Sequence, residues 1–312
     1  MIKLRSFLML LIAFVSCTHN NDDNVYIPPA VESKEEILTS TKDKPTFING
    51  EDPKPDNKIW KKVDLLSDEF EENTLDSNKW ALLISSWAGR PPALFTEEAV
   101  TLSNGNLNIT NYLLNTSQVV NGNTYTHAGS LVRSIHNGSP GMYFECRMKA
   151  NKTFMSSTFW LINDRNSNSG CDRRTTELDI QECVGEITTD ATWAQKMNHG
   201  MNSNTHSRNT SCDETNIGSK GGEVETDENW KDYHIYAAWW KNETEILFFL
   251  DGKHQFTVNP IEKFNLPMSL RMVTETYDWN PEPTDGGMTG NWEDRTTKYD
   301  WVRTWQLAEI IE

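Results

Sequence analysis

The sequence predicts one large all-β domain that follows a polar N-terminal segment. Between residues 58 and 308, Trp, Phe, Tyr, Val and Ile occur in short runs separated by Asn, Gly, Ser and Asp, a composition typical of strands and turns. No stretch beyond the N-terminus carries a long apolar stripe at helical period. Sandwiches of about 200–250 residues commonly form single domains, so the 312 residues indicate one β domain plus a tail.

Residues 1–17 have the features of a targeting segment. Two basic residues precede an apolar run over residues 7–15, and a small residue precedes Cys17, which is the layout of a signal peptide. The run is too short to span a bilayer. It resembles a bacterial lipoprotein signal in which Cys17 becomes lipidated. Because Phe14 stands where such signals usually have Leu, ordinary secretion is the alternative.

Residues 18–57 predict a flexible linker, because they are polar, contain five prolines and show no apolar alternation. The NNDDN run at residues 20–24 has two interpretations. It resembles an acidic signal that sends some lipoproteins to the outer surface, or it simply begins a solvated linker. The β domain then occupies residues 58–312. We expect a bacterial protein at the outer membrane or cell surface, or a secreted one.

The chain carries 45 acidic and 29 basic residues, a net charge of −16. This balance argues against a nucleic-acid partner, because a phosphate-binding face shows as a basic excess. It also gives no general attraction for an anionic polymer, so local Arg and Lys residues would have to recognise one. We expect membrane contact only through a lipid on Cys17, and we expect a monomer.

The cysteines beyond Cys17 fall into two groups. Cys171 and Cys212 lie in loops rich in Asn, Ser and Asp and are the favoured disulfide pair in an oxidising compartment. Cys146 and Cys183 lie in strand-like runs, where buried free thiols are expected. The sequence leaves the pairing open, and no spacing resembles a zinc site.

Residues 177–182, with the sequence Glu-Leu-Asp-Ile-Gln-Glu, carry the chemistry. In a strand, alternate side chains share a face, so Glu177 and Asp179 point one way and the apolar residues between the acids point into the core. Strict alternation would place Glu182 on the wrong side. One extra residue, a β-bulge, brings it back beside the other two. The segment therefore predicts a row of three carboxylates.

The spacing of the row suits glycoside hydrolysis. At the strand rise per residue, the Cα atoms of Glu177 and Glu182 lie roughly 13 Å apart. If both side chains lean inward, their carboxyl groups are on the order of 5–6 Å apart, close to the roughly 5–5.5 Å of retaining glycosidases. Asp179 would hold a proton or hydrogen bond between them and keep their pKa values apart. A chance match in an acid-rich chain is the competing interpretation.

The surroundings of this strand carry a family resemblance. The acidic motif, the STFWL run at residues 157–161 and the YDWVR run at residues 299–303 together resemble glycoside hydrolase family 16, over about residues 60–308. This family of endo-glycanases includes laminarinases, agarases, porphyranases and κ-carrageenases. The resemblance implies a β-sandwich jelly roll of two antiparallel sheets with a concave substrate cleft. It also implies Glu177 as nucleophile, Glu182 as acid/base and Asp179 as an assisting residue.

The resemblance identifies two loop residues as substrate contacts. Residues 86–93 contain Gly and two Pro residues and predict a loop. Trp87 is placed similarly to a Trp of agarases, and Arg90, three residues later, is similar to an Arg of porphyranases. Trp87 would stack on a sugar ring, and Arg90 would pair with a sulfate, for which a guanidinium fork is suited. The alternative is a packed Trp87 and a solvated Arg90.

Three more substrate contacts follow from the resemblance. Trp160 corresponds to a family Trp that stacks near the cleavage point, with a core Trp as the alternative. His206 resembles a cleft His of agarases and porphyranases, with a surface or packing role as the alternative. Glu275, in a predicted strand over residues 270–279, would bind sugar hydroxyls or serve as a partner for Arg271.

The family often carries a structural calcium, which the resemblance would place at Asp300 and the carbonyl of the Gly105 turn. The alternative is that Asp300 only caps a strand. No cofactor is expected for catalysis.

These observations predict an endo-acting retaining glycoside hydrolase that cleaves β-1,4 linkages in red-algal galactan polysaccharide. Arg90 favours porphyran, a sulfated agar, because neutral agarose offers no sulfate for a guanidinium. A β-agarase on neutral agarose is one alternative, and a non-catalytic glycan-binding lipoprotein of the same fold is another. Laminarin is disfavoured, because the surroundings of His206 and Glu275 resemble agar-degrading relatives. The sulfation pattern and the number of subsites stay open.

Overall fold

The computed structural model describes residues 42–208 and 217–310, and within them the chain forms strands joined by turns and short 3-10 helices. The 3-10 helices are Asp64–Leu66, Glu97–Ala99, Arg165–Ser167, Gly170–Asp172 and Thr192–Lys196. The strands, in chain order, are β1 Lys58–Lys62, β2 Trp80–Leu82, β3 Ala93–Phe95, β4 Val100–Ser103, β5 Asn106–Thr110, β6 Tyr112–Val120, β7 Asn123–Gly138, β8 Met142–Lys149, β9 Ser156–Asn163, β10 Thr175–Val184, β11 His199–Arg208, β12 Gly218–Glu228, β13 His234–Asn242, β14 Glu245–Leu250, β15 Lys253–Val258, β16 Met268–Thr274 and β17 Thr296–Glu309.

The strands form two sheets. The eight-stranded sheet has the order β15-β14-β13-β8-β17-β5-β4, with β1 also paired to β17. The nine-stranded sheet has the order β12-β11-β10-β9-β16-β7-β2, with β3 and β6 also paired to β7. Pairing is antiparallel except between β3 and β7, which run parallel over three residues. The predicted fold class, a sandwich of two antiparallel sheets, is confirmed.

A continuous apolar core joins the two sheets. Each sheet turns one face inward, where side chains from both faces interdigitate, as expected for stacked sheets. The nine-stranded sheet contributes Val132, Phe159, Leu161, Leu178, Ile180 and Met201, and the eight-stranded sheet contributes Phe144, Tyr236, Phe248 and Val302. Because the apolar residues of β10 point into this core, the acidic residues between them lie on the outer face of the nine-stranded sheet.

Two hairpin turns follow directly from local sequence. Asn104 and Gly105 have φ values of 53° and 69°, and Asp251 and Gly252 have φ values of 50° and 77°. Two consecutive left-handed residues are the requirement of a type I′ turn, which Asn-Gly and Asp-Gly satisfy best. The two dipeptides by themselves therefore indicate tight turns, and the structure has a turn at each.

The predicted linker ends earlier than residue 57. The backbone N–H of Thr46 donates to the buried carboxylate of Glu145 at 3.0 Å, and Phe47 packs against Tyr143 and Trp60, with ring centroids 5.0 and 6.3 Å apart. Residues 44–48 therefore belong to the β domain, because their single aromatic ring has a partner on the outer face of the eight-stranded sheet. Residues 18–41 of the predicted linker lie outside the described residues.

The cysteines divide as the sequence predicts. Cys146 and Cys183 are buried free thiols, and burial raises the pKa of the Cys183 thiol to about 12. Cys171 is disulfide-bonded. Its predicted partner, Cys212, lies outside the described residues.

Among the described residues, no helix combines the length and the apolar character needed to cross a bilayer. The predicted targeting segment, residues 1–17, falls outside them, and its lipidation stays a prediction.

Candidate active site

A β-bulge in β10 places the acidic row. Asp179 and Gln181 pair with consecutive residues of β9, so Ile180 is the extra residue. The bulge restores Glu182 to the face that carries Glu177 and Asp179, and both glutamates line the same cavities on the outer face of the sheet. The bulge predicted from the spacing of the acids is confirmed.

The side chain of Gln181 braces this bulge. Its Nε2 donates to the carbonyl of Gly200 at 3.0 Å, and its Oε1 accepts from the backbone N–H of Asn202 at 2.9 Å. Main-chain pairing of β10 with β11 extends from Thr175 to Asp179, and beyond that point a buried side-chain amide takes the place of the ladder. No pattern in the sequence marks Gln181 for this role.

The carboxylates lie in one cleft made of two connected cavities. The larger cavity has a volume of about 630 Å³ and extends over β11 and β12. The smaller, of about 330 Å³, extends over β9 and β16. The two share five lining residues, Arg90, Glu177, Glu182, Arg208 and Tyr277. The acidic strand therefore crosses the middle of the cleft, with room for substrate on both sides.

The proton distribution favours Glu182 as an acid. Burial, followed by the charge of Asp179, raises the pKa of Glu182 to about 8, although a hydrogen bond from Tyr277 opposes the shift. The Tyr277 hydroxyl donates to Glu182 Oε1 at 3.0 Å. Glu182 is therefore protonated at neutral pH and can give a proton to a leaving group.

Asp179 is the most enclosed of the three acids. Burial and then the charge of Glu177 raise the pKa of Asp179 well above its ordinary value. His206 Nε2 lies 3.2 Å from Asp179 Oδ2, so the predicted cleft His is placed beside the acidic row. One carboxylate oxygen each of Glu177 and Asp179 and one ring nitrogen of His206 lie within 4.8 Å of one another.

Glu177 is paired with a cation that the sequence analysis missed. The Arg208 guanidinium contacts Glu177 Oε2 from the last residue of β11. Arg208 lies two residues after His206, so the two share a strand face. That spacing is the signal that could have found it. The guanidinium is nearly half exposed, at 44 %, and it lines both cavities.

The predicted tryptophans meet in the smaller cavity. Trp87 and Trp160 both line it, with ring centroids 6.3 Å apart and planes at 72°. They also belong to a small apolar cluster with Phe95, and the Arg271 guanidinium lies 4.9 Å from the Trp160 ring centroid. The packing role and the cleft role therefore coexist in the same side chains.

Arg90 and Glu275 form a pair at the cleft. Arg90 Nε lies 3.4 Å from Glu275 Oε2, and burial raises the pKa of Glu275 to about 8. Within the described residues the ion pair of Glu275 is with Arg90, not with the predicted alternative, Arg271. The predicted strand over residues 270–279 ends at Thr274, and the turn that follows carries Glu275 into the cleft.

Three aromatic side chains of the cleft were not predicted as contacts. Tyr277, Trp279 and Trp193 line the larger cavity. They come from the turn after β16 and from the 3-10 helix Thr192–Lys196, two segments that only tertiary folding brings together.

Asp300 lies on β17 in the other sheet. Its Oδ2 pairs with Arg147 at 2.6 Å, and the same guanidinium lies 4.4 Å from the Tyr233 ring centroid. A cation on Asp300 would compete with this guanidinium, so the arrangement does not favour calcium. Calcium at Asp300 stays a prediction.

Comparison with known proteins places the chain in a family. The family model described as "Beta-porphyranase A-D, GH16 domain" matches residues 60–307. The chain belongs to this family of glycoside hydrolases. The match spans the whole sandwich, including the acidic strand.

Individual relatives agree with the family match. The chain is 52 % identical to beta-porphyranase B of Zobellia galactanivorans, and the alignment covers 87 % of this chain and 93 % of the relative. It is 35 % identical to beta-porphyranase B of Phocaeicola plebeius, covering 83 % and 88 %. The crystal structure of porphyranase B from Z. galactanivorans superimposes with a TM-score of 0.83, covering 86 % of this chain and all of that one. The structure of beta-agarase A with oligoagarose, 18 % identical at a TM-score of 0.63, shares the fold.

Proposed function

We propose that this protein is an endo-acting, retaining glycoside hydrolase that cleaves β-1,4 linkages in porphyran. The observation that carries the reaction type is a strand that presents Glu177 and Glu182 on one cleft face, with the pKa of Glu182 at about 8. The 52 % identity to a beta-porphyranase supports the substrate.

The geometry supports a double displacement. Glu177 attacks the anomeric carbon while Glu182 gives its proton to the glycosidic oxygen. The carbon–oxygen bond of the substrate breaks as the bond to the Glu177 oxygen forms. In the second step the Glu182 carboxylate takes a proton from water, the water oxygen attacks the same carbon, and Glu177 leaves. The starting anomeric configuration is thereby retained.

Asp179 separates the roles of the two glutamates. Burial and then the charge of Glu177 raise its pKa, which disfavours a second full negative charge beside the nucleophile. A protonated Asp179 can donate a hydrogen bond to Glu177 or to a sugar hydroxyl. His206, 3.2 Å away, helps to fix its position.

Recognition of sulfate falls to local cations, because the chain as a whole is strongly acidic. Arg90 is 37 % exposed and Arg208 is 44 % exposed, and both line the cleft. Each guanidinium already faces one carboxylate and keeps further donors for an anionic oxygen. Glu275 Oε2 faces Arg90 at ion-pair distance but makes no hydrogen bond among the described residues, so it can accept one from a sugar hydroxyl.

A product assay tests the reaction. We expect the protein to release sulfated oligosaccharides of several sizes from porphyran, and little from agarose, κ-carrageenan or laminarin. Proton NMR of the first product should show the β anomer before mutarotation. Neutral oligomers from agarose alone would instead make the protein an agarase, and binding without any product would make it a glycan-binding protein.

The first prediction concerns the nucleophile. Glu177→Gln should lower turnover at least about a thousandfold, because removing one member of a catalytic unit removes most of its effect, while binding of porphyran is kept. Gel retardation in porphyran measures the binding. Exposed Glu98→Gln is the matched control, with unchanged turnover. Near-normal rates in Glu177→Gln would sink the assignment.

The second prediction concerns sulfate. Arg90→Gln should lower kcat/KM on porphyran about tenfold or more, the scale of one charge-assisted hydrogen bond. Any residual activity on agarose should change much less. Arg165→Gln, an Arg outside both cavities, serves as the control. An equal loss on both polymers would show that Arg90 only supports the loop.

We also propose that the chain reaches the outer membrane as a lipoprotein anchored through Cys17. The support is the sequence of residues 1–17, in which an apolar run leads to a cysteine. Cys17→Ala in the full chain should abolish incorporation of radiolabelled palmitate and release the enzyme from the membrane fraction. Unchanged labelling would overturn the proposal.

A further inference from the structure

A row of aromatic rings runs from the acid/base into the larger cavity. Tyr277, whose hydroxyl donates to Glu182, stacks on Trp279 with centroids 5.2 Å apart and planes 20° apart. Trp193 meets Trp279 at 5.1 Å and 64°. All three rings line the larger cavity. The row is therefore continuous from the reacting proton to the outer wall of the cleft.

Trp193 is exposed on a short helix that contacts its surroundings at three neighbouring residues. Its side chain is 60 % exposed. Ala194 is buried, Gln195 Nε2 donates to the carbonyl of Thr189 at 2.8 Å, and Lys196 Nζ pairs with Glu223 of β12 at 2.6 Å. The helix is thus anchored across the cavity, and the indole is presented to whatever enters.

We propose that Trp193, packed edge-on against Trp279, is a stacking platform for a pyranose ring of the galactan in the larger cavity. This inference rests on the proposed function and adds a binding site to it. The apolar C–H face of a sugar covers an aromatic ring and removes apolar surface from water. Because that face carries no charge, the platform binds sulfated and neutral units alike, in contrast to the guanidinium of Arg90.

A second exposed tryptophan provides a comparison within the same chain. Trp292 is 53 % exposed, but it stacks on Tyr112 and lines neither cavity. Single exposed apolar side chains are ordinary on protein surfaces. Exposure alone therefore does not distinguish Trp193 from Trp292. Trp193 differs because it lines the larger cavity and continues the row of rings from Tyr277 and Trp279.

The experiment compares Trp193→Ala, Trp193→Phe and Trp292→Ala. On porphyran, Trp193→Ala should raise KM about 5- to 10-fold, on the scale of one aromatic contact, with kcat within about twofold. Trp193→Phe should restore most of the affinity, and Trp292→Ala should match the unaltered enzyme. On agarose, if it is cleaved, the rise in KM should be the same. An unchanged KM in Trp193→Ala, or a loss confined to porphyran, would overturn the platform.

A binding measurement separates this inference from the proposed reaction. In the Glu177→Gln background, porphyran oligosaccharides of defined size should change the tryptophan fluorescence. That change should shrink when Trp193 is also replaced by Ala and persist when Trp292 is. If no galactan is hydrolysed, the proposed function fails while the titration still decides on the platform. Identical titrations in the Trp193 and Trp292 variants would overturn the platform even in an active enzyme.

Discussion

At the scale of single residues, the two glutamates of the cleft have different partners. Glu177 faces the guanidinium of Arg208, whereas Glu182 faces the neutral hydroxyl of Tyr277. Burial without a cation nearby favours a carboxylic acid, as at Glu182. The contacts with Arg208 and Tyr277 therefore support Glu177 as the nucleophile and Glu182 as the acid/base. In the sequence, only the family resemblance distinguished these two roles.

The hydrogen bond to Glu182 predicts a pH effect. As the proposed acid, Glu182 must be protonated to react, so kcat/KM should fall as the pH rises through about 8, the pKa of Glu182. Tyr277 stabilises the charged form and lowers that pKa. Tyr277→Phe should therefore move the basic limb of the profile upward by about one pH unit, the scale of a hydrogen bond to a charged group.

The matched control is Tyr112→Phe, which removes a hydroxyl that contacts Thr96 at 3.0 Å outside the cleft. Its pH profile should be that of the unaltered enzyme. A basic limb that stays in place in Tyr277→Phe would mean that another group sets it.

At the scale of elements, the bulge in β10 is the feature on which the site depends. It lets six consecutive residues put three acids on one face and apolar side chains on the other. The extra residue interrupts the pairing with β11, and Gln181 restores two of the lost contacts through its side chain. Buried backbone groups left without partners are costly. The bulge is therefore stable only because the Gln181 side chain satisfies these groups.

Gln181→Ala should therefore affect both stability and activity. It leaves the carbonyl of Gly200 and the N–H of Asn202 without partners, which should cost about 2 kcal/mol of unfolding free energy. It should also lower kcat, because Glu182 directly follows the unbraced residue. Urea unfolding and initial rates measure the two effects. Gln255→Ala, on an exposed hairpin, should change neither, and a stable but inactive Gln181→Ala would argue for a direct catalytic contact.

At the scale of the whole molecule, burial shifts acids on both sheets towards their neutral form. The pKa values of Glu182 and Glu275 are raised to about 8, that of Glu145 to about 7, and that of Asp179 well above its ordinary value. In each case burial is the main cause. The folded state therefore holds protons that the unfolded chain releases at lower pH.

Because the folded state binds more protons than the unfolded chain, the free energy of unfolding should fall as the pH rises. The contribution of such groups is complete below about pH 4.5, where both states are protonated, and is lost as the pH rises towards 8. The melting temperature should therefore be lower at pH 8.5 than at pH 5.5. Glu145→Gln should reduce the fall, because Glu145 alone accounts for about 3 kcal/mol between its two pKa values.

Glu145 lies away from the cleft, beneath Thr46 on the eight-stranded sheet, so this variant should keep its cleavage rate. Exposed Glu98→Gln should leave the pH dependence of melting unchanged. A melting temperature that rises with pH would contradict the prediction.

The sequence by itself determined whatever depends on local order. The row of Glu177, Asp179 and Glu182 follows from strand alternation plus one bulge, and Asn-Gly and Asp-Gly dipeptides dictate their turns. Strand runs of Val, Phe and Trp predicted the sandwich, and the composition around Cys146 and Cys183 predicted buried thiols. In each case the physical rule acts between residues a few positions apart, so the chain displays it directly.

Only the tertiary structure decided which distant segments meet. Arg208 reaches Glu177 from the neighbouring strand β11, and Tyr277 reaches Glu182 from a turn nearly a hundred residues later. Phe47 finds its aromatic partners from within an apparent linker. Periodicity can place a residue on a strand face, as it does for Arg208, but it does not name the partner, because the energy of such contacts comes from burial and pairing that exist only in the folded sheets.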